Sequence, residues 1–115
     1  MDQPYIYVKD VRETHVQADS ILSKTLQNDE RSKVIQFCFA PGQELSAHTA
    51  PFPATLYFAK GEAALRLGAD HQEAVEGTFV YMTPNLEHGI RAKTEVVMML
   101  TMLKNPPAPD RGKAG

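Results

Sequence analysis

PGQELSAHTAPFPATLYFAKG, residues 41–61, and GTFVYMTPNLEH, residues 77–88, carry the punctuation that decides the fold. Pro41-Gly42 is a turn dipeptide that cannot continue a ladder, and Gly77 breaks the chain before a run of β-formers. Gln43–Thr49 reads as a strand. Pro51-Phe52-Pro53 is then a corner, because each proline removes a backbone donor that a sheet requires. Thr55–Lys60 (TLYFAK) runs from that corner to Gly61. In the second stretch Thr78–Met82 (TFVYM) is a strand and Thr83-Pro84-Asn85 a turn. His48 follows the first turn signal and His88 the last.

Outward from these stretches the chain continues in short β-like runs. Ser32–Ala40 (SKVIQFCFA) is rich in β-branched and aromatic residues. Glu62–Leu67 (EAALRL) has alanines that suit a helix, but six residues between glycines are too few for one. With Thr55–Lys60 it reads as two paired strands, each followed by a turn, at Gly61 and at Gly68-Ala69-Asp70. His71–Val75, His88–Ala92 and Thr94–Leu103 complete the series. The last run, TEVVMMLTML, is apolar on both faces, as expected of a strand covered on both sides, such as one at an interface. Toward the N-terminus Tyr5–Lys9 and Ile21–Leu26 read as strands and the polar Thr14–Ser20 as loop. The tail Asn105–Gly115 has three prolines, two glycines and almost nothing to bury, and is expected to be disordered. The reading is thus one all-β domain, residues 5–104, folded as a sandwich or barrel, since closure removes exposed sheet edges.

The spacings Gly42 to His48, His48 to Gly61 and Gly77 to His88 resemble the two motifs of the cupin superfamily of small single-domain, RmlC-like barrels. The likeness spans about Val34 to Leu103. It implies a jelly-roll β-barrel of two antiparallel sheets. It also implies a homodimer, since similar small cupins pair through sheet edges and N-terminal strands. In metal-binding members four side chains converge inside the barrel: a His-x-His pair, a Glu or Gln beyond it, and the histidine of the second motif. The matching positions here are His48, Ala50, Ala54 and His88, with Thr55 in place of Ala54 in the alternative register. Alanine cannot ligate a metal, so His48 and His88 are the two metal-ligand candidates that remain, and any divalent transition metal would be weakly held.

Strand parity places Ala54, Leu56 and Phe58 on one face and Thr55, Tyr57 and Ala59 on the other. Motif register favours the first set as pocket wall and a proline corner can shift it. The candidate ligand-binding residues are therefore His48, Tyr57, Phe58 and His88. Imidazoles titrate near neutrality and can bind, orient or move a proton. The methionines and other aromatics are read mainly as core or dimer interface, and Arg66 and Arg91 as solvated. Cys38, His15, His71 and Glu87 offer no persuasive third ligand.

Three functions fit these residues. The first is a small-molecule-binding cupin with a reduced site around His48 and His88, with no certain cofactor. The second is a metal-dependent enzyme of dioxygenase or isomerase type, its shell completed by water or substrate. The third is a structural or interaction protein whose barrel is filled by its own side chains. A formal net charge of -2 and a pI near 6.0 give no electrostatic reason to expect nucleic acid or an anionic membrane as partner. No apolar stretch approaches the roughly 20 residues that cross a bilayer. The lone Cys38 cannot pair within the chain and no secretory leader pattern opens it, so the expected compartment is the cytoplasm.

Overall fold

Among the described residues nine strands follow one another with turns between them: β1 (Ile21–Asn28), β2 (Ser32–Phe39), β3 (Glu44–His48), β4 (Ala54–Lys60), β5 (Ala63–Leu67), β6 (Asp70–Ala74), β7 (Phe79–Met82), β8 (His88–Ala92) and β9 (Val96–Leu103). The computed structural model describes residues 4–104, and the tail expected to be disordered lies outside the described residues. The strands form a five-stranded sheet in the order β1-β2-β9-β4-β7 and a four-stranded sheet in the order β3-β8-β5-β6. Every pairing is antiparallel. The expected all-β, two-sheet architecture is therefore what the chain adopts. Among the described residues no helix is long and apolar enough to cross a membrane.

Residues paired across an antiparallel ladder share a face, so the registers divide inside from outside. Phe39 pairs with Val96, Phe58 with Met98, and Leu56 with both Leu100 and Val80. These side chains point between the sheets and pack with Leu65, Ile90 and Ala63 of the second sheet. At one end of the barrel Phe39, Phe58 and Val96 are wholly buried.

Two expectations about pairing and extension are corrected. The strands on either side of Gly61 do not pair: β4 bonds to β7 and β9, while β5 bonds to β6 and β8. Gly61 instead carries the chain from one sheet to the other, at a φ of +90 where a Cβ would lie 2.1 Å from the Glu95 carbonyl oxygen. Only glycine fits so close to another backbone in that conformation. Tyr5–Lys9 is not a strand, because it has no neighbouring ladder to join, and Tyr5 to Val8 stay exposed. The turn that follows, a short 3-10 segment at Val11–Glu13, was not anticipated.

That N-terminal segment does lie against the barrel. On the outer face of the five-stranded sheet Cys38, Ala59 and Val97 are buried beneath Val11 and Val16. Gln36, only 2% exposed, donates through Nε2 to the Val11 carbonyl at 2.7 Å and to the Thr14 hydroxyl at 3.1 Å. A buried amide left without partners would be costly, so these bonds fix the segment over that end of the sheet. The two-sided apolar character expected of β9 is thus covered at Val97. Farther along the same outer face Tyr57, Phe79 and Tyr81 stand 45%, 63% and 55% exposed.

Candidate functional site

The inward turn of His48 depends on an irregularity in β3. Leu45 pairs with Ile90, and His48 pairs with His88, so β3 spends three residues where β8 spends two. Leu45 and His48 would otherwise fall on opposite faces. A bulge between them brings both inside. The bulged backbone passes directly over Gly89, where a Cβ would meet the Ala47 nitrogen and the Leu45 carbonyl at 3.2 Å.

His88 is held from the other side by the Thr83–Leu86 turn. Asn85 adopts a left-handed φ of 67, which asparagine tolerates better than most residues. Its N–H donates to the Ala50 carbonyl at 2.7 Å, tying this turn to the segment that follows His48. His88 sits at 9% exposure, while His48 lies at the more open edge. The ring centroids are 4.4 Å apart and tilted by 55°.

Each ring is oriented by its own backbone. Nδ1 of His48 lies 2.8 Å from the Ser46 carbonyl, and Nδ1 of His88 lies 2.8 Å from the Leu86 carbonyl. A carbonyl only accepts, so Nδ1 carries the proton and the neutral ring has its lone pair at Nε2. Both rings thus keep Nε2 free for a hydrogen-bond donor or a metal ion.

A cavity of about 70 Å³ adjoins the pair, lined by His48, Ala50, Phe52, Ala54, Met82, Thr83, Leu86, His88, Leu100 and Met102. All four motif positions, His48, Ala50, Ala54 and His88, therefore meet at one space, but two of them present only methyl groups. Among the described residues no cluster of three or more His, Cys, Asp or Glu side chains is placed to hold a metal ion. The divalent metal that the resemblance implies does not fit this donor set.

The remaining candidates separate by face. Ala54 pairs with Met82 and Met102, which settles the register in favour of Ala54, Leu56 and Phe58 pointing inward. Phe58 is wholly buried in the core and does not line the cavity. Tyr57 pairs with Phe79 and Met99 on the outer face, so its hydroxyl is not available to a ligand in the barrel. Met82 and Met102, read from sequence mainly as packing residues, are instead part of the cavity wall. Phe52, Thr83, Leu86 and Leu100 also line it without having been singled out, and only the strand partners and the proline corner, once known, would have pointed to them. Arg66 pairs with Glu87 at 3.2 Å outside the barrel and, with Glu44, His71 and Arg91, lines a groove of about 280 Å³. Cys38 belongs to the outer cluster, where burial raises the pKa of its thiol, and it is remote from both histidines.

Residues 35–103 match the family model described as Cupin domain. No curated protein matches the chain. Among solved structures, a conserved protein of unknown function from Streptococcus pyogenes aligns at TM-score 0.82 and 24% identity, over 92% of this chain and 99% of that one. A cupin superfamily protein from Desulfitobacterium hafniense aligns at TM-score 0.78 and 18% identity, covering 91% and 94%. An RmlC-like cupin family protein with a double-stranded β-helix fold from Methanocaldococcus jannaschii aligns at TM-score 0.72 and 20% identity, covering 90% and 93%. At these identities the likeness is one of fold.

Proposed function

The chain belongs to the cupin domain family, and on that premise we propose that it binds a small molecule in a barrel site reduced to two histidines, His48 and His88. One observation carries this reading: the four motif positions still converge on a cavity, while Ala50 and Ala54 have turned half of its polar lining into methyl groups. A space of about 70 Å³ suits a compact ligand of a few heavy atoms. Its apolar part would lie against Phe52, Leu86 and Leu100, and a hydroxyl or amide donor would meet the free Nε2 atoms.

The test is a thermal-shift screen of small alcohols, amides and acids against the wild type and the His48→Ala/His88→Ala double variant, with elemental analysis of both. The expected result is stabilisation of the wild type by at least one compound, absent in the variant, with no stoichiometric divalent metal. One divalent metal per chain, lost in the variant, would replace this reading with the metal-dependent dioxygenase or isomerase alternative. Stabilisation by no compound would favour a barrel that serves structure or interaction alone.

We propose further that a second copy of the chain covers the outer face at Tyr57, Phe79 and Tyr81. Three exposed aromatics on neighbouring strands form a patch of the kind that marks an interface, and a twofold pairing needs only one such self-complementary patch. Sedimentation should give a dimer that dissociates on Tyr57→Ser/Phe79→Ser, and a monomeric wild type would overturn the proposal.

A further inference from the structure

Two soft atoms in the cavity wall have no part in the reading above. Met82 on β7 and Met102 on β9 are the two cross-strand partners of Ala54. Paired residues on one face have Cβ atoms about 4.5–5.5 Å apart, so the two methionine side chains start on either side of the alanine methyl. Both line the same small cavity as His48 and His88, and Met82 is only 3% exposed. The position where metal-binding cupins place an acidic ligand is thus an alanine between two methionines.

Leucine would fill the same volume. Methionine adds a polarisable sulfur with lone pairs, a poor partner for hard cations and a good one for soft ones. The histidines complement it, since both rings are fixed by their Nδ1 bonds with Nε2 free. A ring whose Nδ1 is bonded to a carbonyl while Nε2 is free is arranged as metal-binding imidazoles are. Charge points the same way. The lining residues include no carboxylate to offset a divalent ion. Desolvation cost rises with the square of the charge, so a single positive charge is the cheaper one to place in this apolar space.

We propose that His48, His88, Met82 and Met102 form a binding site for a soft monovalent cation, Cu(I), with the two Nε2 atoms and the thioether sulfurs as ligands. The proposal rests on the two-histidine site and names the ion its donors select. It involves no change of oxidation state: Cu(I) enters and leaves as Cu(I).

The experiment is an anaerobic titration of the purified protein with Cu(I) buffered by bicinchoninate, combined with X-ray absorption at the copper edge. Mn(II) and Zn(II) are titrated in parallel. The wild type should take up one Cu(I) per chain, show sulfur as well as nitrogen scattering, and bind the divalent ions far more weakly. Met82→Leu/Met102→Leu conserves volume and should stay folded. It should weaken Cu(I) by at least about 10- to 100-fold, the scale at which even changes behind a metal's ligands alter its affinity. His48→Ala/His88→Ala should abolish Cu(I) binding and thermal shifts by organic ligands. Unchanged Cu(I) affinity in the methionine variant, a spectrum without sulfur, or Zn(II) bound as tightly as Cu(I) would each overturn the assignment. A wild type that responds to organic ligands but takes up no Cu(I) sinks the copper site alone. One that responds to neither sinks the two-histidine pocket with it.

Discussion

The two ends of the barrel share β4 and β9 and differ in what those strands carry. At one end Phe39, Phe58 and Val96 meet with no exposed surface, and Gly61 threads the chain between the sheets against the Glu95 backbone. At the other, the continuation of β4, β7, β8 and β9 places Ala54, Met82, His88 and Met102 around a cavity. The first end supplies stability through close packing. The second gives up packing to keep a space with two oriented imidazoles, and it can do so because the first end holds the sheets together. Stability and binding should therefore respond to substitution at opposite ends.

The largest effect is expected at the closed end. Phe58→Ala should cost about 3–5 kcal/mol in denaturant unfolding, as lost burial and a new cavity add together. A cost no greater than that of changes beside the histidines would break the contrast between the ends. Next comes Gly61→Ala. Its Cβ would press on the Glu95 carbonyl in a strained conformation, and a loss of about 2–3 kcal/mol is expected. A neutral result would mean that the crossing between sheets is free to move.

At the open end the His48→Ala/His88→Ala variant should change unfolding free energy by about 1 kcal/mol or less while abolishing ligand-dependent stabilisation. The smallest effect concerns Glu95. Lys60 Nζ lies 2.6 Å from its Oε1 and holds the carboxyl below the usual value of 4.5. The folded chain thus binds that proton more weakly than the unfolded one. The contribution is full above the ordinary carboxylate range and is lost as pH falls through the folded value. Because the pair is partly exposed, Glu95→Gln should flatten the acid limb of the stability curve by only a few tenths of a kcal/mol. Identical acid limbs for the two proteins would remove the pair from any role in stability.

Much of this contrast is legible in the amino-acid sequence, for identifiable reasons. Ser32–Ala40 and Thr78–Met82 read as strands because β-branched and aromatic residues crowd between turn signals, and the chain forms strands there at Ser32–Phe39 and Phe79–Met82. His48 and His88 stood out by motif spacing, and they do face each other. Sheet membership was harder, since a glycine after Lys60 looks the same whether it closes a hairpin or crosses between sheets. What decides is the Glu95 carbonyl, which lies far along the chain. The face of Tyr57 follows from the pairing of Ala54 with Met82 and Met102, which strand parity alone does not supply. Those methionines belong to the cavity because of their partners, which no local pattern encodes. Tyr5–Lys9 has the composition of a strand and lacks a neighbour, and a ladder needs both.

The bulge in β3 makes the site depend on counting. Three residues of β3 span two of β8, and the bulge that absorbs the surplus turns His48 toward His88. Deleting one residue between Leu45 and His48 would set two residues opposite two and leave the imidazole facing inward on a regular ladder, whereas straightening the bulge at its present length would swing it out to solvent while Leu45, Ile90 and the barrel beneath them kept their places. The site thus belongs to the bulge and not to the residue count alone: whatever irons out the bulge erases the histidine pair without touching either histidine and without dismantling the fold.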